Sequence, residues 1–488
     1  MNVTPASPSV GAFAARSREV VVRELGPGPE PEAVFRALAG RDGVLFLDSA
    51  GGPPGLARWS FLGSDPFLVL RADDRQVTEA VPGTHASPAR RTANPFNALA
   101  EALGALAVER VASPVPFTCG AVGYLGYDLK HSVERLPRLV ARDQAFPDLH
   151  LAFHDSLLAH DAESGTWYAT AAPVGPGRDV SPGSRIDDLR RVLDRASGLP
   201  EAGLAPVERA PPLRARMRRE EYLRAVERVL DYIAAGDIFQ ANFTQRFETR
   251  VALPARDLYL LLRRRNPAPF AAFIDAAGGR AVLSSSPERF LKVDGREIET
   301  RPIKGTRARG GNPAEDERAA GELLASAKDA AELAMIVDLE RNDLGRVADY
   351  GSVRVAAPRA LEAYPTVFHL VATVTGELAA GRSPVDLLKA TFPGGSITGA
   401  PKVRAMEIIE ELEPTARSVY TGALGWIDLA GDLDLNIVIR TMLYDSGRVT
   451  YQVGGGIVAD SEPEAEYAEC LAKGRALAEA LGVEGGTP

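Results

Sequence analysis

The chain has 488 residues, too many for one ordinary core, and its 45% apolar and 25% charged composition is that of a globular protein. A formal net charge of −9 excludes a broad nucleic-acid surface, which needs clustered Lys and Arg, but leaves room for a local cationic site facing a small anion. No run approaches the ~18 apolar residues of a membrane span, and Cys119 and Cys470 lack any Cys-x-x-Cys spacing, which excludes a disulfide framework and a thiolate metal site and makes a reducing cytoplasm the expected location.

Residues 1–18 contain no acid and many small side chains, and are expected to form a flexible tail. A first domain is expected over residues 19–174. In it Val44–Leu47 and Trp59–Leu62 read as strands, Phe96–Leu106 has helical spacing, and the Pro/Gly-rich stretch Val81–Asn94 reads as a long surface loop. Residues 175–214 read as a linker with one short helical patch at Ile186–Ala196. The second domain, 215–482, opens with a helix at Glu220–Ala235 and continues through several strands. Helices at Ala314–Ala327 and Lys328–Val347 follow, then more strands, a closing helix at Pro463–Leu481 and a tail at 483–488. There is no regular β-α alternation, which predicts an α+β fold with mainly antiparallel sheet. Gly454-Gly455-Gly456 follows a strand without G-x-G-x-x-G spacing, so no dinucleotide fingerprint is present.

Two helices carry acids one turn apart. On the closing helix Tyr467, Cys470, Leu471, Gly474, Leu477, Ala478 and Leu481 form one mostly apolar stripe, with Glu466, Glu469 and Lys473 in line beside it. Asp329 and Glu332 repeat the device on Lys328–Val347, beside Leu333, Ile336, Val337 and Leu344. Brought together, four carboxylates would need a cation, and oxygen donors without His or Cys select Mg²⁺ over zinc. The same spacing describes two solvated acidic faces, and spacing alone leaves both readings open.

Ser284–Thr306 reads as a β-hairpin turning at Asp294-Gly295. A tight turn there sets Glu288 opposite Arg301, with Lys304 ~10 Å further along at ~3.3 Å per residue. Parity puts Lys304 on the face away from Arg301 unless a bulge at Pro302 re-aims it. A lysine shielded from water near a carboxylate is a nucleophile when its amine is neutral; a solvated hairpin lysine is the bland alternative.

The ordered segments SSPERF (285–290), PIKGT (302–306), AELAMIVDLERNDLGRV (331–347), FHLVATVTG (368–376), PGGSITGAPKVRAMEIIEELEP (393–414), YTGALGW (420–426), LNIVIRT (435–441) and GGGIVADSEPEAEYAEC (454–470) carry more information together. They resemble the chorismate-utilising enzymes, which include component I of anthranilate synthase, component I of aminodeoxychorismate synthase, and the isochorismate and salicylate synthases. The resemblance is strong over 217–482 and weaker over 19–174, where GAVGYLGYDLKHSVERLP (120–137) carries it. It implies the family's fold, antiparallel sheets in a two-layered core with helices packed outside. It implies that Glu332 and Glu469 bind Mg²⁺, with Asp329 and Glu466 steadying its waters, and that the ion holds the ring carboxylate of chorismate close to Lys473. Arg440 and Tyr420, with main-chain amides near Gly454 and Gly456, are the implied contacts to the enolpyruvyl carboxylate. His369 and Ser396 would line the ring pocket, although a lone strand histidine by itself reads as a core residue.

Within the family the sequence resembles the aminodeoxychorismate branch. Lys304 precedes Gly305-Thr306, where anthranilate synthases typically carry the alanine of PIAGT. In lysine-bearing members the amine attacks C2 of chorismate and the C4 hydroxyl leaves, protonated by the acid that Glu288 matches; ammonia at C4 then displaces the lysine. The segment FQANFTQRF (239–247) has Gln240 near the position of the isochorismate and salicylate synthases' lysine base. The implied activity is amination of chorismate to 4-amino-4-deoxychorismate, for p-aminobenzoate and folate, with anthranilate synthase component I as the alternative. No cysteine-nucleophile glutaminase segment is evident, so ammonia is expected from a separate glutamine amidotransferase subunit. Phe46-Leu47-Asp48-Ser49-Ala50 departs from the Leu-Leu-x-Ser segment of the small tryptophan site found in both amidating families.

Overall fold

The computed structural model describes residues 19–84, 87–174, 181–200, 203 and 212–483. The expected N-terminal tail, most of the C-terminal one, and the parts of the connection at 175–180, 201–202 and 204–211 lie outside them. Two antiparallel sheets of twelve strands each organise the chain, eleven in one continuous order and one pairing beside it: Gly399–Ala400 against Gln240–Arg250 in the first, Arg354–Ala363 against Val367–Glu377 in the second. The first runs from Val21–Pro27 through Thr166–Ala171, Ser156–Asp161, Trp59–Gly63 and Leu45–Asp48, then Phe270–Asp275, Arg280–Ser286, Thr441–Asp445 and Arg448–Ile457, to Gln240–Arg250 and Arg214–Ala215. The second runs from Ile303–Ala308 through Val367–Glu377, Glu297–Arg301, Arg289–Asp294, Leu433–Ile437 and Ala423–Asp428, to Gly120–Leu125, Leu149–His154, Leu68–Asp73, Gln76–Ala80 and Ala89–Thr92. Each sheet thus takes strands from both sides of the 175–214 connection.

The layers follow from strand alternation. On Phe270–Asp275, Ala272 and Ile274 pack between the sheets while Phe273 packs under helices. On Ala423–Asp428, Leu424 and Trp426 point between the sheets while Ala423 and Ile427 join the outer core. Helices Pro31–Ala37, Pro182–Ser197, Arg219–Ala234, Ala255–Arg265 and Pro463–Ala480 cover the first sheet. Helices Pro95–Leu106, Ala327–Gly345 and Pro384–Thr391 cover the second. The expected α+β arrangement is what forms: two sheet layers inside, helices outside.

Local departures have physical reasons. The helical patch in the connection extends to Pro182–Ser197 and buries Ile186, Leu189, Val192, Leu193 and Ala196 against the first sheet's outer core. The expected loop at Val81–Asn94 contains a short exposed edge strand, Ala89–Thr92, whose ladder to Gln76–Ala80 is main-chain bonding that its polar side chains do not signal. Gly454-Gly455-Gly456 lies inside the strand Arg448–Ile457, not after it, paired with Thr244, Phe243 and Asn242. Cys119 and Cys470 are both buried and unbridged. Among the described residues no helix is long and apolar enough to cross a membrane.

Candidate active site

A cavity of about 590 Å³ lies among strands of both sheets and the helices Ala327–Gly345 and Pro463–Ala480. Each residue expected to act in catalysis, substrate binding or metal binding lines it: Lys304, Glu288, His369, Ser396, Tyr420, Arg440, Gly454, Gly456, Lys473, Asp329, Glu332, Glu466 and Glu469.

The lysine wall is built from the expected hairpin, with a different register. Asp294 pairs with Glu297, so the two-residue turn is Gly295-Arg296, where Gly295 takes φ +63° and its N–H is held by Asp432 at 2.7 Å. An irregularity between Arg289 and Lys292 then shifts the ladder by one, so Arg289 faces Arg301, and Glu288 stands just before the strand. Pro302 does not shift the ladder: Thr300 faces Val374 and Ile303 faces Val371, in one register. The bulge falls at Gly305, between Lys304 and Thr306, at φ +79°. Glycine is required there twice over, because a Cβ would also lie 2.9 Å from Asp329 Cγ.

Lys304 Nζ lies 3.4 Å from the Ser396 carbonyl, and the Ser396 side chain hydrogen-bonds Glu288. Burial pushes the Lys304 ammonium below the usual lysine range; Glu332 and Glu288 oppose the shift and Lys473 adds to it. Burial raises the Glu288 carboxyl above its usual range, against the Ser396 hydrogen bond and the charge of Lys304. An amine biased towards neutral beside a carboxyl biased towards protonated is a nucleophile and acid pair. His369 is buried, with Nδ1 2.9 Å from Thr306 Oγ1, and burial holds its imidazole at a pKa of about 3, hence neutral.

Across the cavity, Arg440 adopts φ +52°, and burial lowers the pKa of its guanidinium with only Tyr420 opposing. Among the described residues no carboxylate pairs with it. A half-buried cation without an internal anion can receive an external one. At Gly456 a Cβ would come 2.6 Å from Gln240 Nε2, so the glycine leaves room for that buried amide. Lys473 Nζ donates to Gly454 O at 3.0 Å.

The acids stand on the two expected helices. Ser326 caps the first by accepting from Asp329 N at 3.2 Å, and Glu332 follows one turn later. Burial raises Glu332, and the like charges of Asp329 and Glu466 add to the shift, whereas Lys473 pulls Glu469 down. As they stand, the carboxylates turn to separate partners: Asp329 to Arg307 (3.2 Å), Glu466 to Ser461 (2.6 Å) and Glu469 to Lys473 (2.7 Å). No group of three acid, His or Cys side chains among the described residues converges closely enough to hold a metal ion. The donor chemistry fits Mg²⁺, being all oxygen, and a cation would relieve the repulsion at Glu332.

The cavity also includes Asn242, Thr306, Lys328 and Gln452, which sequence reasoning did not pick. Only the alternation of Gln240–Arg250 points to Asn242, and its partner strand is some two hundred residues away. A second cavity of about 270 Å³ is lined by Leu47 and Ser49 with Trp59, Phe61, Phe270 and Trp426. The Asp48 carboxylate there is held by Arg263 at 2.5 Å and Tyr259 at 3.2 Å.

The chorismate binding enzyme family model matches residues 56–479. Anthranilate synthase component 1 of Mycolicibacterium smegmatis is 40% identical over 95% of this chain and 90% of its own length. Aminodeoxychorismate synthase component 1 of Bacillus subtilis is 38% identical over 92% of this chain and 93% of its own. Among solved structures, anthranilate synthase component I of Streptococcus pneumoniae TIGR4 superposes with a TM-score of 0.74 at 30% identity, covering 85% of this chain and 91% of that one. The family model and these relatives, each matched over most of the chain, place it in the family of chorismate binding enzymes.

Proposed function

We propose that the chain aminates chorismate to 4-amino-4-deoxychorismate, with ammonia from a glutamine amidotransferase subunit, towards p-aminobenzoate and folate. The observation that carries the reading is Lys304, an amine shifted towards neutral inside the cavity and joined through Ser396 to the buried acid Glu288. Lys304 Nζ bonds to C2 of the ring as the C4–O bond breaks, and Glu288 gives its proton to the departing hydroxyl, which leaves as water. Ammonia bonds at C4, the C2–N bond returns its electron pair to Lys304, and the excess proton on the new amine goes back to Glu288. The enolpyruvyl group stays on the product.

Arg440 and Tyr420, with the main-chain amides near Gly454 and Gly456, hold the enolpyruvyl carboxylate, while His369 and Ser396 line the ring. Mg²⁺, held by Glu332 and Glu469 with Asp329 and Glu466 behind, would neutralise the ring carboxylate near Lys473 when bound. The second reading, anthranilate synthase component I, is favoured by the names of the Mycolicibacterium smegmatis relative and the Streptococcus pneumoniae structure. Mass analysis of the product from purified chain, chorismate, Mg²⁺ and ammonium separates the two. An aminated ring retaining enolpyruvyl supports the proposal, and anthranilate overturns it.

A further inference from the structure

The walls of the cavity come from segments far apart in sequence, and one buried side chain ties three of them together. Arg417 is 1% exposed and uses all five of its N–H donors. Nε and Nη2 form a fork on Glu413 at 2.9 and 2.7 Å. Nη1 donates to Ile397 O at 2.9 Å and to Thr421 Oγ1 at 3.3 Å, and Nη2 donates to Asn242 O at 2.5 Å. Glu413 extends the clamp by accepting from Thr244 N at 3.0 Å and Thr244 Oγ1 at 2.7 Å, on the strand that carries Asn242.

Each tethered segment presents a residue to the cavity. Asn242 and Ile397 line it directly, and Ile397 follows Ser396, whose carbonyl meets Lys304. Thr421 follows Tyr420 and donates back to its carbonyl at 2.7 Å. The turn from Arg417 to Thr421 is strained, with Ser418 at φ +56° and Thr421 at φ +58°, a region that side-chain-bearing residues rarely enter, so something must hold it. None of the Arg417 bonds reaches the helices that carry Asp329, Glu332, Glu466 and Glu469.

We infer that Arg417 is a positioning residue, fixing Asn242, the Ser396-Ile397 turn and Tyr420 relative to one another so that the site is formed before substrate arrives. The inference rests on the reading of this cavity as the chorismate site. A lysine offers three donors from a point instead of a planar fork and cannot span these acceptors.

The test is steady-state kinetics of Arg417→Gln and Arg417→Lys, well below their melting temperatures, varying chorismate and then Mg²⁺. Displacing the walls should raise KM for chorismate and lower kcat/KM by about 10²-fold, while the Mg²⁺ concentration for half-maximal rate stays as in the wild type. Arg263→Gln, which breaks the buried pair with Asp48, serves as a stability control and should lower the melting temperature without moving KM. Wild-type kinetics in a folded Arg417→Gln overturn the inference, as does an equal rise in KM in Arg263→Gln. If neither Arg417 variant folds, Thr421→Val decides: loss of one tether should still raise KM, and an unchanged KM overturns the inference. Failure of the functional reading shows separately, in a wild type that leaves chorismate unchanged.

Discussion

Arg440 carries its charge into the cavity with no carboxylate beside it among the described residues, and burial lowers its pKa. Replacing it by Gln keeps much of the side-chain volume and the left-handed backbone, and removes the charge. Two effects of opposite sign follow. The empty protein no longer holds a half-buried cation without a carboxylate, so its melting temperature should rise. On the proposed assignment, the enolpyruvyl carboxylate loses a charge-assisted hydrogen bond of about 1.5–3 kcal/mol, which is roughly 10- to 150-fold in chorismate affinity. The assay pairs initial rates over a range of chorismate, at saturating ammonium, with thermal melts recorded with and without chorismate. The variant should melt higher alone and gain less from chorismate than the wild type does. An unchanged KM would refute the assignment, and a lower melting temperature without substrate would show that Arg440 has an internal partner.

The pH profile has a defined sign. Glu288 must be protonated to act as an acid, so activity falls as pH rises through its raised pKa; Lys304 must be neutral, so activity falls as pH drops through its lowered pKa. kcat/KM should be bell-shaped, and Glu288→Gln should remove the alkaline limb while lowering kcat by about 10²–10⁴-fold; an alkaline limb kept by the variant counts against the role. Dialysis against EDTA should abolish turnover and Mg²⁺ should restore it, with Glu332→Gln needing at least about tenfold more ion; full activity after dialysis contradicts the metal site. The purified chain should use ammonium but not glutamine, and adding the amidotransferase subunit should make turnover glutamine-dependent. Glutamine use by the chain alone would end the two-subunit reading.

Much of this was legible because it is local. The stripe on Pro463–Ala480 and the acids beside it follow from helical spacing, and Cys470, Gly474, Leu477 and Ala478 are buried as that spacing requires. The turn at Gly295-Arg296 was displaced by one residue from its expected place, since the tether on Gly295 comes from Asp432, far along the chain. Strand pairing was not legible: Phe270–Asp275 lies against Leu45–Asp48, across the boundary that composition suggested. Arg417 is the clearest case of what the sequence hides. In ARSVY it looks like a surface cation, and its role rests on acceptors that only the tertiary fold assembles.

The most direct test of the account follows Lys304 itself. The chain would be mixed with chorismate and Mg²⁺ without ammonium, quenched, digested, and the peptide carrying Lys304 weighed. The account predicts an adduct of chorismate less water on Lys304, discharged on adding ammonium as the aminated product appears, and absent from Lys304→Ala. An unmodified Lys304 throughout, with anthranilate formed at the wild-type rate by Lys304→Ala, would contradict it.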